Sequence, residues 1–114
     1  MQENGRIVIM FCAFEGAPKI VRLHGRGEVV HPSHPNSSGL SRQFPAHRGA
    51  RAVIHVTIAR ISDSCGYGVP LFDFVGNRDV LDRWAEQKGP EGLAAYRRQK
   101  NDVSIDEIPG YKNA

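Results

Sequence analysis

Arg6-Ile7-Val8-Ile9-Met10-Phe11-Cys12-Ala13-Phe14 is a continuous apolar run rich in β-branched and aromatic residues. Such a run suits a strand buried on both faces better than one with a face in water. Glu15-Gly16-Ala17-Pro18 punctuates it, with Gly and Pro placed as in a hairpin connection. The stretch that follows, Lys19 to Val30, alternates instead. Val21, Leu23, Gly25, Gly27 and Val29 fall on one face, and Ile20, Arg22, His24, Arg26 and Glu28 on the other. Two glycines on the apolar face leave room for a bulge, a ligand or a second backbone. The row Arg22, His24, Arg26 is the densest positive feature of any predicted strand.

Working outward, His31 to Gly49 is rich in Pro, Ser, Asn, Gly and His and reads as a long surface connection. A short helical turn is expected inside it, around Leu40 to Phe44. A third strand is predicted from Arg51 to Ile61, with Ile54, Val56 and Ile58 toward the core and His55 and Thr57 away from it. Ser62-Asp63-Ser64-Cys65-Gly66-Tyr67-Gly68-Val69-Pro70 then reads as a glycine-rich turn. After Gly76 the period becomes helical: Val80, Leu81 and Trp84 form an apolar stripe, with Asn77 or Asp79 as cap and Gly89 as stop. A second helix is expected from Pro90 to about Asn101, with Leu93, Ala94 and Tyr96 inward. Lys88, Arg97, Arg98 and Lys100 gather near helix C-termini, where the macrodipole favours them. The expected order is strand, strand, long loop, strand, turn, two helices. Residues 1–76 form the β part, and residues 77–114 form a helical tail of the same domain. An apolar strand with both faces to cover and nothing ahead of it suggests N-terminal truncation, since an open edge invites pairing.

The 114 residues suffice for one compact domain, and 40% hydrophobic with 24% charged residues argues against disorder. Ile7 to Phe14 is the longest apolar run and falls far short of the ~20 residues that span a bilayer. The segment Met1-Gln2-Glu3-Asn4-Gly5 has no basic region of a signal peptide, which predicts a cytoplasmic chain without a membrane partner. Cys12 and Cys65 are too few for a disulfide scaffold. A net charge of +3 fits attraction to phosphorylated small molecules or to nucleic acid without requiring either.

No Gly-x4-Gly-Lys-Ser/Thr loop occurs. Gly25-Arg26-Gly27 and Gly66-Tyr67-Gly68 each begin like a dinucleotide fingerprint, but neither has the third glycine leading into a helix. His31-x-x-His34 is the tightest histidine pair, set in a proline-rich loop with no cysteine or carboxylate beside it, so no metal site is expected. Cys12, in mid-strand, reads as core. Cys65 reads as a turn cysteine without a positioned base. Arg22, His24 and Arg26 could hold a phosphate bidentately, or line a solvated face or a salt-bridged subunit contact. The basic residues are dispersed and lack interleaved aromatic platforms, so no nucleic-acid partner is expected.

The run from Asn4 to Gly16, continued by Pro18-Lys19-Ile20-Val21-Arg22-Leu23-His24-Gly25-Arg26-Gly27, resembles the central hairpin of pyridoxamine-phosphate-oxidase-like proteins of an uncharacterised bacterial branch. So do Ile61 to Pro70, with Ser64-Cys65-Gly66-Tyr67-Gly68-Val69-Pro70 the most specific piece, and Asp82 to Leu93. The resemblance covers nearly the whole chain. It implies a mainly β, α+β fold, part of a split β-barrel that binds FMN at a homodimer interface; some relatives bind deazaflavin or haem instead. In such sites the protein positions the cofactor, which carries the redox chemistry. It further implies a small-molecule substrate and a cofactor-binding set of Arg22, His24, Cys65, Gly66, Tyr67 and Gly68, with the Cys65 to Val69 turn beside the ring. No catalytic acid or base is implied.

Two departures qualify it. Where the oxidase itself reads Arg-Gln-Val-Arg-x-x-Gly, with its glutamine on the flavin, this chain has Ile20 at the glutamine position and keeps Arg22 and Gly25. The family's main phosphate contacts lie on strands ahead of the hairpin, so the chain is read as missing them. The expected function is that of a flavin-dependent oxidoreductase in full-length form. The alternatives are a non-catalytic flavin or haem module, whose bound flavin no nicotinamide donor reduces, and an inactive fragment that FMN does not stabilise.

Overall fold

The computed structural model describes residues 4–110. Strands β1 (Arg6–Cys12), β2 (Lys19–Val30) and β3 (Val53–Cys65) form one open antiparallel sheet in the order β1-β2-β3. Helix α1 (Ser37–Ser41) lies in the connection between β2 and β3, and α2 (Val80–Asn101) follows the sheet. The chain divides into two compact units: a sheet unit running up to Val30 and resuming over Ile54–Gly76, and a helical unit of His31–Val53 with Asn77 onward.

In the sheet unit, the β1–β2 turn closes with the Ala13 amide donating to the Lys19 carbonyl at 2.9 Å. The register sets Arg6 opposite Arg26, Val8 opposite His24, Met10 opposite Arg22 and Cys12 opposite Ile20. Opposed residues share a face, so His24 and Arg22 of β2 stand beside Val8 and Met10, while Ile7, Ile9 and Phe11 join Gly25, Leu23 and Val21 on the apolar face. The two-face division expected of β2 is therefore found.

Cover on both faces of β1 is not found. Val8 and Met10 are 53% and 56% exposed, and Phe11 is exposed as well. A single sheet layer has nothing of its own to lay over both sides. The same shortage leaves Ile54 and Ile58 exposed, against the expectation that they face the core. Val56 is half-buried and packs at Gly25, its Cγ1 3.0 Å from where a β-carbon would stand. The Thr57 carbonyl oxygen lies on that same spot, so β3 meets β2 at backbone contact there.

Strand β3 also runs on through Ser62, Asp63, Ser64 and Cys65, which the sequence predicts as turn; the turn begins only at Gly66, whose carbonyl accepts the Val69 amide at 2.8 Å. Pairing with β2 overrides the weak strand preference of Ser and Asp. After the turn an extended segment returns to β1's end, with the Phe72 amide on the Phe14 carbonyl at 3.1 Å and the two rings edge to face at 5.4 Å.

In the helical unit, α1 begins three residues ahead of the expected Leu40, and Gln43 and Phe44 continue its turning by bonds to Leu40 and Ser41. Helix α2 consists of two helical segments joined at Gly89, which adopts φ 64° and ψ 176°, with Pro90 opening the second. A residue before proline is pushed out of the helical region, so the break expected from Gly89-Pro90 falls where the backbone must leave it. Asp79 stands at the N-cap, but its carboxylate takes the Arg83 guanidinium at 3.0 Å and caps no amide. Ala85 and Leu93 are buried, and Trp84 meets Tyr96 edge to face at 5.0 Å. Val80, Leu81 and Tyr96 remain exposed, so the apolar stripe is only partly inward. No helix among the described residues is long and apolar enough to cross a membrane.

Candidate functional site

Continuation of β3 to Cys65 decides the site. It brings Ser64 to Arg22, whose Nη1 donates to Ser64 Oγ at 2.9 Å, and Ser62 to His24, whose Nε2 is 3.0 Å from Ser62 Oγ. Arg26 Nη1 donates to the Asn4 carbonyl at 3.0 Å. Arg22 and His24 are half-buried, and Arg26 is exposed. One sheet face thus carries a guanidinium–hydroxyl pair and an imidazole–hydroxyl pair, with a second guanidinium on the same face, flanked by Val8 and Met10. A guanidinium with unused N–H groups beside serine hydroxyls is a donor-rich surface, suited chemically to phosphate or to an electron-rich ring edge.

The other expected cofactor residues are not gathered there. Alternation along β3 puts Cys65 on the face of Asp63, which pairs with Lys19 at 3.1 Å. Cys65 is a free, exposed thiol. Gly66 is buried with the Lys19 backbone nitrogen 2.7 Å from where a β-carbon would stand, so it serves close packing. Tyr67 is 84% exposed, and Gly68 has open space around it. The structure therefore joins Arg22 and His24 with Ser62 and Ser64, two residues the sequence reading omitted, and leaves Cys65, Tyr67 and Gly68 apart from them. Among the described residues no three His, Cys, Asp or Glu side chains are grouped as a metal site requires.

The Lys19–Asp63 pair lies well exposed on both sides. Lys19→Ala is expected to change unfolding free energy by about 0.5 kcal/mol or less, as for exposed ion pairs generally. Urea denaturation checks this, and a larger loss would mean that the pair is shielded from water.

The chain is similar to the pyridoxamine 5′-phosphate oxidase family protein ustO of Aspergillus flavus, at 36% identity over an alignment of 129 positions that takes in 100% of this chain. It spans about half of that relative, 52% of its length. The relative is fungal, so the resemblance does not confine the chain to a bacterial branch. No family model matches the chain. No solved structure matches it significantly. With the whole chain aligned at this identity, the chain is similar throughout its length to a protein of the pyridoxamine 5′-phosphate oxidase family.

Proposed function

We propose that the protein binds FMN and serves a flavin-dependent oxidoreductase, with the cation–serine face of the sheet as this chain's share of the cofactor site. The observation that carries the reading is the pairing of Arg22 with Ser64 and of His24 with Ser62 on one face of the sheet. It is supported by the similarity of the whole chain to a pyridoxamine 5′-phosphate oxidase family protein. Arg22 and the two hydroxyls would meet the anionic or electron-rich part of the cofactor, while Val8 and Met10 offer apolar cover beside it. When bound, the flavin would supply the two-electron redox chemistry. The residues of this face would orient it, and Arg22 would hold positive charge near it.

Since the chain spans about half of its relative, the whole protein's activity is itself part of the proposal. Assembly as a homodimer belongs to the same proposal. The exposed rings of Phe14, Phe72 and Phe74, which line one hollow of the sheet unit, offer the kind of patch that another protein surface covers. Sedimentation of the protein as a monomer, with and without FMN, would count against it.

The direct test is FMN titration followed by quenching of flavin fluorescence, with the protein and its Arg22→Gln and Ser64→Ala forms. Loss of a charge-assisted hydrogen bond predicts affinity lower by about tenfold in Arg22→Gln and by somewhat less in Ser64→Ala. Unchanged affinity in both would remove this face from the site.

A further inference from the structure

The helical unit contains a cavity of about 700 Å³, inside the ~300–1,000 Å³ range of small-molecule sites. Its floor includes the buried Ala85 and Leu93. Its wall carries the Trp84–Tyr96 pair, whose edge-to-face contact at 5.0 Å holds two rings in a fixed apolar surface. Around these stand Arg51, Arg78, Arg97 and Lys100, and among the described residues no Asp or Glu lines the space.

Two facts about these cations point to a ligand. First, they lack acidic partners. Arg51, Arg78 and Lys100 make no ion pair among the described residues, and Asp82, the acid at the margin, is already paired with His47 at 2.6 Å. Arg97 is held by one nitrogen, Nη2, on the carbonyls of Gly49 at 3.2 Å and Ala50 at 3.4 Å, which leaves the rest of its planar fork unused.

Second, the helix macrodipole does not explain the set. It favours Arg97 and Lys100 near the C-terminus of α2. Arg51 lies outside the helix, in the segment leading into β3, and Arg78 directly precedes the N-cap Asp79. There the dipole's positive end opposes a cation. Like charges brought around one cavity repel until an anion enters.

The geometry points to this cavity as a binding site for a small anion with an aromatic body, an aryl carboxylate or aryl phosphate, on residues that the sheet's cation–serine face does not share. The ring of such a ligand would lie against Trp84 and Tyr96, and its charge among Arg51, Arg78, Arg97 and Lys100. The inference is independent of flavin binding.

Trp84 is the chain's single tryptophan, so its emission reports the cavity directly. Titration of the protein with phenyl phosphate should change that emission saturably. Benzyl alcohol, which keeps the ring, and inorganic phosphate, which keeps the charge, should each bind about tenfold or more weakly, because each uses half of the site. The double variant Arg51→Gln/Lys100→Gln, at two exposed positions, should weaken phenyl phosphate by about tenfold, with circular dichroism confirming its fold. Should that variant not fold, Arg78→Gln alone should give a loss of about threefold. Arg22→Gln should leave the Trp84 response unchanged, which separates this site from the one proposed for FMN. Absence of a saturable response at millimolar phenyl phosphate would overturn the assignment. So would equal binding of benzyl alcohol or of inorganic phosphate, or full affinity in the folded variants.

Discussion

Replacing Gly25 by alanine is expected to lower the stability of the protein by about 3 kcal/mol, the upper range for overpacking, because the atom it meets is backbone. A β-carbon at that position would fall on the Thr57 carbonyl oxygen, 3.1 Å from the Thr57 carbonyl carbon and 3.0 Å from Val56 Cγ1. The valine methyl can rotate aside, but the carbonyl can yield only if β3 moves bodily. A β-carbon points out of the plane of its strand, so the Thr57 backbone lies over the face of β2 at Gly25. This close approach depends on the missing side chain. Urea denaturation of Gly25→Ala checks the figure, and a loss under about 1 kcal/mol would mean that β3 shifts freely. The same substitution should also disturb the proposed flavin binding, since Ser62 and Ser64 reach His24 and Arg22 only while β3 holds its place.

Gly89→Ala should cost about 2 kcal/mol for a different reason, since nothing lies within 4 Å of the position a β-carbon would take. The cost is conformational: at φ 64° and ψ 176° the residue occupies a region that essentially only glycine adopts. The remedy open to an alanine is to straighten the backbone toward a helical value, which the following Pro90 resists. Gly68→Ala is the matched control, with open space around it and an ordinary backbone. It should leave the melting temperature unchanged, whereas Gly89→Ala should lower it by about 8–16 °C, at about 4–8 °C per kcal/mol in a small domain. Equal melting temperatures for the two variants would show that the joint in α2 tolerates a side chain.

The boundaries of β2 were legible to the residue, because alternation over Lys19 to Val30 is long and bounded by Pro18 on one side and the His31-Pro32 segment on the other. The break at Gly89-Pro90 was legible for the same kind of local reason. What escaped the reading was non-local. Ser62-Asp63-Ser64 has turn composition, and only its partners on β2 make it strand. The apolar row Ile54, Val56, Ile58 gives way to Arg60, Ser62 and Ser64 at the same spacing, so the hydrophobic period that marks the strand stops before the serines. The exposure of Ile54, Ile58 and Met10 was illegible because periodicity states which residues share a face, not whether a second layer covers it. The cationic cavity was equally hidden, since Arg51 and Arg78 are remote from Lys100 in sequence and meet only through the fold.

The path of the chain through its two units bears on how the protein is made. The sheet unit takes residues up to Val30, the helical unit takes His31–Val53, the sheet resumes at Ile54 and the helical unit at Asn77. Neither unit is a continuous stretch, so no single cut separates them into pieces that each hold all their residues. During synthesis the β1–β2 hairpin can close as soon as it emerges. Its third strand arrives only after the connection from His31 has been made, with the loop-closure entropy of a long-range contact. Until then the edge of β2 that β3 will occupy stands unpaired, and this interval is when the nascent chain is most open to mispairing with another copy of itself.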